Sequence, residues 1–227
     1  MHPAETAETP RLFDGPDNAP ATVLLAHGAG APMDSPFMAA IATGLAERGW
    51  RALRFEFPSM ARQRSSGRRP GPDRLPVLQD TFRRLVLQEA EAWPGRPLFL
   101  GGKSMGGRGA SLLVDELTAA AEVRGCLCLG YPFHPPGRPL QLRTEHLATL
   151  RTPTLILQGE RDTFGKREEV ESYTLSPQVQ LQWIPAGDHS FKPTRASGRT
   201  EADNWALAVE RADRFCRGVL EPGMSKS

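Results

Sequence analysis

A serine flanked by glycines is the residue best suited to covalent chemistry in this sequence. It lies in Gly102-Lys103-Ser104-Met105-Gly106, which has the form Gly-x-Ser-x-Gly. The motif directly follows the apolar run PLFLG at residues 97–101 and directly precedes a helical pattern, which predicts a tight turn from strand to helix at Ser104. Glycine suits so sharp a turn because it has no Cβ to clash. N–H groups at the start of the following helix would face a developing negative charge.

Two other interpretations compete for this glycine-rich segment. A phosphate-binding loop of the Walker type would need glycine at position 97, and proline stands there instead. The second alternative is a structural turn without chemistry. The presence or absence of suitable partners for Ser104 distinguishes that turn from a catalytic site.

The serine needs two partners, because its hydroxyl is a weak nucleophile until a base activates it and an acid orients that base. In an α/β sheet with this turn, the chain order is serine, acid, histidine. His189 is the histidine that follows the last predicted strand, in PAGDHSF. The loop GERDTF contains Asp162, which is favoured as the acid. Glu160 lies closer to the strand end, and Asp188 adjoins the histidine, so these two rank below it.

Backbone donors for an oxyanion are predicted at two places. One is the N–H of Met105, the residue after the serine. The other lies in the segment HGAGA at residues 27–31, where Ala29 is favoured and Gly30 is the alternative. His27 in this segment is interpreted as a brace for the loop rather than as a catalytic group.

Residues 58–76 are predicted to form a loop at the same edge of the sheet, and residues 58–74 within it are rich in arginine, proline and glycine. The segment could be a solvated loop or a basic rim that attracts acidic substrates, with Arg62 as a substrate-binding candidate. A nucleic-acid surface is disfavoured because aromatic residues for base stacking are missing. Phe133 and Phe164 follow strand ends, and each could line a substrate pocket or serve ordinary packing.

Strand and helix patterns alternate along the chain. Strands are predicted at residues 22–26, 53–57, 97–101, 125–130, 154–158 and 179–184, and helices at 35–48, 77–93, about 105–121, 166–175 and about 205–219. This alternation predicts an α/β fold with a mostly parallel sheet of about six to seven strands, helices on both faces and no large lid domain. The strand at 53–57 alternates as if half exposed. Chemistry in such sheets collects at the carboxyl ends of the strands.

A single domain is predicted over residues 21–220, with tails at 1–20 and 221–227 and a short candidate strand near residues 11–13. The chain has 227 residues, 39% hydrophobic and 24% charged, so a buried core is feasible. A net charge of +2 is too balanced to indicate a nucleic-acid or membrane partner.

The chain shows neither a transmembrane run nor a signal-peptide pattern, and its three cysteines are an odd number. These features favour reduced thiols and a cytoplasmic location.

The segments HGAGA, GKSMGG, QGERD and GDHSF occur in an order and spacing that resemble the α/β-hydrolase superfamily. The chain is most similar to the small dienelactone-hydrolase-like branch, over about residues 20–220. The resemblance implies Ser104 as nucleophile, His189 as base and Asp162 as acid, acting on an ester or related acyl bond of a small substrate. It implies no metal or organic cofactor. Dienelactone hydrolase itself uses cysteine, so its lactone substrate is not implied, and a non-catalytic scaffold remains the alternative function.

Overall fold

The computed structural model of this chain describes residues 9–68 and 71–221. The strands are β1 Arg11–Asp14, β2 Thr22–Ala26, β3 Arg51–Phe55, β4 Leu98–Lys103, β5 Val123–Leu129, β6 Thr154–Gly159 and β7 Val179–Ile184. The α-helices are α1 Pro36–Ala46, α2 Pro58–Ser66, α3 Leu75–Ala92, α4 Met105–Ser111, α5 Val114–Ala120, α6 Arg167–Val170 and α7 Glu201–Leu220. None of the helices in these ranges is long and apolar enough to cross a membrane.

The strands form one sheet in the order β1-β3-β2-β4-β5-β6-β7. All neighbouring strands are parallel except β1, which pairs with β3 in an antiparallel register from Arg11 opposite Phe55 to Asp14 opposite Ala52. The predicted α/β fold with a mostly parallel sheet is therefore confirmed. The sheet begins inside the predicted tail at 1–20. Residues 1–8 of that tail, and all but residue 221 of the tail at 221–227, lie outside the described residues.

Two apolar clusters cover the two faces of the sheet. On one face, α1 and α7 pack through side chains such as Ile41 and Val209. On the other face, α3, α4 and α5 pack through side chains such as Phe82 and Leu117. Every residue of β2 is buried, as expected for a central strand whose neighbours are covered on both faces.

Strand β3 is buried along its whole length, so the expected half-exposed pattern is wrong. The two arginines of this strand each have a buried or half-buried carboxylate partner. Arg51 is bound to Glu89, with Nη1 2.5 Å from Oε2, and Arg54 is bound to Asp14, with Nη2 2.8 Å from Oδ2. Pairing allows these charges to be buried, because each one keeps an opposite charge and hydrogen bonds.

The arginine-rich segment at residues 58–74 is not a loop throughout, because α2 occupies its first half. Pro58 stands at the first helical position, where the missing N–H costs nothing, and Gly67 ends the helix with φ +68°. The proline and glycine that suggested a loop are therefore the residues that begin and end a helix. Similarly, the helix predicted up to residue 121 is divided, since α4 and α5 are separate.

Candidate active site

Ser104 lies on the sharp turn between β4 and α4, at the carboxyl edge of the sheet. Its backbone has φ 50° and ψ −111°, a region that a residue with a Cβ adopts only when its surroundings enforce it. The surrounding chain does enforce it: the Ser104 N–H donates to Leu129 O at 3.0 Å, and the Ser104 carbonyl accepts from Arg108 N–H at 2.9 Å. The predicted turn from strand to helix is therefore present in the structure.

Close backbone contacts explain the glycines on both sides of the serine. A Cβ on Gly106 would lie 2.6 Å from Ala26 O and 2.7 Å from His27 O. A Cβ on Gly102 would also collide with the backbone of Ala26, and the φ of +157° at this position suits glycine. The turn is thus held directly against the end of β2.

The three side chains predicted to act together are in contact, although they come from three different loops. His189 Nε2 lies 2.9 Å from Ser104 Oγ, and His189 Nδ1 lies 2.7 Å from Asp162 Oδ2. A carboxylate can only accept, so Nδ1–H of the neutral ring donates to Asp162 and Nε2 is left to accept the proton of the serine hydroxyl. A continuous line of hydrogen bonds therefore joins the carboxylate, the ring and the hydroxyl.

Asp162 is completely buried and is held by two further donors. Gln158 Nε2 donates to Oδ2 at 2.9 Å, and Phe164 N–H donates to Oδ1 at 2.9 Å. The two rival carboxylates are engaged elsewhere. Glu160 accepts from Ala186 N–H and Arg167, while Asp188 accepts from two N–H groups of its own loop.

The imidazole of His189 is mostly withdrawn from water. Burial lowers its pKa below the usual 6.5, the hydrogen bond that it donates to Asp162 opposes that change, and the nearby Lys103 cation adds to the lowering. The ring stacks on Phe164, with centroids 4.2 Å apart and planes at 28°. The ring is consequently neutral around neutral pH, which is the form a general base requires.

The loop after β2 approaches the serine closely. Gly28 would place a Cβ only 3.6 Å from Ser104 Cβ, and Ala29 and Gly30 follow it along the wall of the same cavity. His27 accepts from Phe57 N–H at 3.1 Å and contacts Gly28 O at 2.6 Å through its other nitrogen. This is the bracing contact expected of His27. Met105, the other predicted donor, is the first residue of α4, so its N–H has no partner within the helix.

A cavity of about 570 Å³ opens beside Ser104 on the face of the sheet covered by α1 and α7. Its walls are mainly apolar, and its lining includes Phe37, Lys103, Phe164, His189, Glu201 and Trp205. The volume suits a small substrate.

Of the predicted substrate-binding residues, only Phe164 lines this cavity. Phe133 is completely buried and packs against Tyr131 and Tyr173 instead. Arg62 is directed to solvent, with 61% of its side chain exposed, and pairs with Asp73 at 3.2 Å. Neither residue reaches the cavity, because Phe133 contributes to the core below the loop and Arg62 lies on the outer side of α2.

Two residues at the site were not predicted from the sequence. Gln158, at the end of β6, joins Asp162 to Tyr131 and Gly165 through hydrogen bonds of 2.7–3.2 Å. Lys103, within the motif itself, is buried in the cavity floor. The position of Gln158 at a strand end was an available signal, because a buried strand of apolar residues has little reason to carry an amide there.

Comparisons with known proteins agree with this fold. A family model described as alpha/beta hydrolase domain matches residues 19–217. A dienelactone hydrolase from Anabaena variabilis is 19% identical, with a TM-score of 0.72 over 95% of this chain and 94% of that one. An alpha-beta serine hydrolase homologue from Coxiella burnetii is 18% identical, with a TM-score of 0.67 over 88% and 90%. A serine hydrolase without lid from Xanthomonas campestris is 20% identical, with a TM-score of 0.63 over 94% and 98%. These likenesses extend over nearly the whole fold.

Proposed function

The chain belongs to the alpha/beta hydrolase domain family, and from that premise we propose that it is a serine hydrolase of carboxylesterase or thioesterase type. Its substrate is a small molecule with an ester or related acyl bond. The observation that carries the proposal is the line of contacts from Asp162 through His189 to Ser104, at 2.7 and 2.9 Å. This line supports nucleophilic catalysis because each group has the partner that its role requires.

In the first half of the reaction, Ser104 Oγ attacks the carbonyl carbon while its proton passes to His189 Nε2. Asp162 stabilises the imidazolium that forms, through the bond to Nδ1–H. The carbonyl oxygen becomes an oxyanion that accepts from the N–H of Met105 and from the loop at Ala29 or Gly30. The tetrahedral intermediate then collapses, His189 returns the proton to the leaving alcohol or thiol, and an acyl-serine remains.

In the second half, water takes the place of the leaving group. His189 removes a proton from the water, the resulting hydroxide attacks the acyl carbon, and a second tetrahedral intermediate forms on the same donors. Its collapse returns the proton to Ser104 and releases the carboxylic acid. Each proton that His189 accepts is therefore given back within the same half-reaction, and the enzyme ends in its starting state.

The proposal is tested with a panel of para-nitrophenyl esters and a fluorophosphonate that labels activated serines. We expect the unaltered protein to hydrolyse short-chain esters, and Ser104→Ala to lower kcat by about 10⁴-fold or more. Mass spectrometry should place the label on the peptide that contains Ser104. Ser65→Ala is the matched control, because Ser65 is exposed on α2 and its hydroxyl donates to Arg62 O, outside the cavity lining.

Two results would contradict the proposal. Hydrolysis that Ser104→Ala retains would come from another site or a contaminant. A folded protein that takes no label and cleaves no ester of the panel would favour the alternative function, a non-catalytic scaffold on the same fold.

A further inference from the structure

Lys103 is a buried cation beside the reactive serine. Only 8% of the residue is exposed, and it forms part of the floor of the 570 Å³ cavity. Its ammonium donates to the backbone carbonyl of His189 and lies 5.5 Å from the centre of the Phe37 ring. None of the ion pairs among residues 9–68 and 71–221 includes Lys103, whereas the arginines of α2 and β3 are paired with carboxylates.

An ammonium in this position has unused bonding capacity. It carries three N–H donors, and the His189 carbonyl takes one of them. Burial lowers its pKa from 10.5 to about 8, although Asp162 and Asp188 act from a distance in the opposite direction. The side chain is therefore mainly protonated at neutral pH. Burying a charge without a partner is costly, and an anion entering the cavity would offset that cost.

We propose that Lys103 binds a carboxylate group of the substrate, so that the preferred substrates are esters or thioesters that carry a free carboxylate. The proposal rests on the hydrolase function proposed above. A carboxylate fits better than a phosphate, because a single compact cation in a mainly apolar cavity can balance one negative charge and supplies few donors. The positive charge that selects an acidic substrate thus comes from the motif itself rather than from the arginine-rich segment.

The cavity contains one opposing charge. Glu201 is the only carboxylate among the described residues that line it, and it makes no ion pair with Lys103. Its charge should repel a substrate carboxylate, whereas Lys103 attracts it. Substitutions of these two residues should therefore shift the preference for acidic substrates in opposite directions, which a purely structural role of Lys103 would not produce.

The experiment compares matched ester pairs that differ in one charge. On the acyl side, mono-para-nitrophenyl adipate is compared with para-nitrophenyl hexanoate. On the alcohol side, para-acetoxybenzoate is compared with para-acetoxybenzamide. For the unaltered protein, we expect kcat/KM to favour the acidic member of at least one pair about tenfold or more, after correction for spontaneous hydrolysis.

Three variants test which residue causes the preference. Lys103→Met should reduce the ratio of acidic to neutral kcat/KM about tenfold or more, and Glu201→Gln should raise it. Lys192→Met is the matched control, because Lys192 is an exposed lysine of the His189 loop, and its ratio should change less than about twofold. If Lys103→Met does not fold, Lys103→Arg should retain a preference for the acidic member.

The unaltered protein supplies a readout that needs no variant. Adipate should inhibit hydrolysis of the neutral ester competitively, and adipamide should inhibit it much less. Inhibition should weaken as the pH rises above the Lys103 pKa of about 8, because the cation is lost there.

The outcomes separate this proposal from the proposed function. Ser104-dependent hydrolysis with equal rates on both members of each pair, or a ratio that Lys103→Met leaves unchanged, would overturn the role of Lys103 and leave the hydrolase function standing. Absence of both hydrolysis and serine labelling in the unaltered protein would overturn the hydrolase function.

Discussion

The turn at residues 101–107 and the arginine-rich segment at 58–74 differ in how they hold their charges. In the arginine-rich segment, Arg64 binds Glu56 at 2.6 Å and Asp34 at 2.9 Å, so its cation is already neutralised by neighbours. In the turn, the single cation Lys103 is buried and has no carboxylate partner among the described residues. The segment with many positive charges therefore has little capacity left to bind an anion, whereas the turn with one buried and unpaired charge retains that capacity. For function, the pairing of a charge matters more than the number of charges.

The glycines of the two segments differ in the same way. Gly67 has no neighbouring atom within 4 Å of the position where a Cβ would lie, whereas Gly106 would bring a Cβ to 2.6 Å from Ala26 O. Glycine in the arginine-rich segment serves a local turn of the chain. Glycine beside Ser104 is required by contacts with another strand.

The largest expected effect is a loss of kcat when Asp162, the predicted acid partner of Ser104 and His189, is replaced. Asp162→Asn should lower kcat by about 10⁴-fold, because an amide nitrogen in place of Oδ2 can hold His189 with Nδ1 as acceptor, and Nε2 then no longer accepts from the serine. The same nitrogen would face the Gln158 Nε2 donor, so some stability should be lost as well. Ester hydrolysis and thermal unfolding measure the two quantities. Glu160→Gln is the control, since Glu160 bonds to Ala186 N–H and Arg167. Equal losses in both variants would contradict the assignment of the acid.

A pair of glycine substitutions tests the difference in backbone constraint. Gly102→Ala should reduce the free energy of unfolding by about 3 kcal/mol or more, because the added Cβ collides with the backbone of Ala26. Gly67→Ala should cost about 1–2 kcal/mol, the penalty of a left-handed conformation in open space. Urea unfolding of both variants measures the free energies. Similar values would remove the contrast between the segments.

Substitution of Arg62 and Arg64 tests whether the arginines of α2 stabilise the fold rather than bind substrate. Arg64→Ala should cost about 1–3 kcal/mol, because the carboxylate of Glu56 is completely buried and would lose its partner. Arg62→Ala should cost about 0.5 kcal/mol or less, since its pair with Asp73 is exposed on the arginine side. Both variants should hydrolyse neutral and acidic esters at rates within about twofold of the unaltered protein. A selective loss on acidic esters would return the substrate site to this segment.

The smallest expected effect is a shift in the pH profile. The rate requires neutral His189, so kcat/KM should be maximal above the His189 pKa and fall as the pH drops through it, at a midpoint below 6.5. Lys103→Met should move this midpoint upward, because the nearby cation contributes to the lowered pKa. Arg64→Ala should leave it in place. A midpoint above 6.5 in the unaltered protein would contradict the burial argument.

Local patterns were sufficient to predict the sheet, its mostly parallel topology and the family resemblance, which the family model confirms. The motif, the chain order and the positions within the loops together selected Ser104, Asp162 and His189, whose side chains are in contact in the structure; their catalytic roles stay a prediction. These three residues could be selected because each lies within a few residues of a local signal, either the Gly-x-Ser-x-Gly motif or the end of a predicted strand.

Contacts between distant parts of the chain account for what the sequence did not predict. The burial of Arg54 depends on Asp14, which lies 40 residues away, and no local periodicity encodes that pair. The ammonium of Lys103 is held by a hydrogen bond to the backbone carbonyl of His189, which lies 86 residues further along the chain. Phe133 was misplaced for the same reason, because its packing against Tyr173 is a long-range contact.

Phe164 restricts how the imidazole of His189 can turn. With the two rings stacked at 4.2 Å, a flip of the imidazole about its Cβ–Cγ bond would require Phe164 to move aside. In the proposed reaction, the same ring nitrogen therefore receives the hydrogen from the hydroxyl and delivers it to the departing oxygen or sulfur. The departing group must accordingly leave past that one edge of the ring, which fixes how the two halves of a substrate are oriented when they enter.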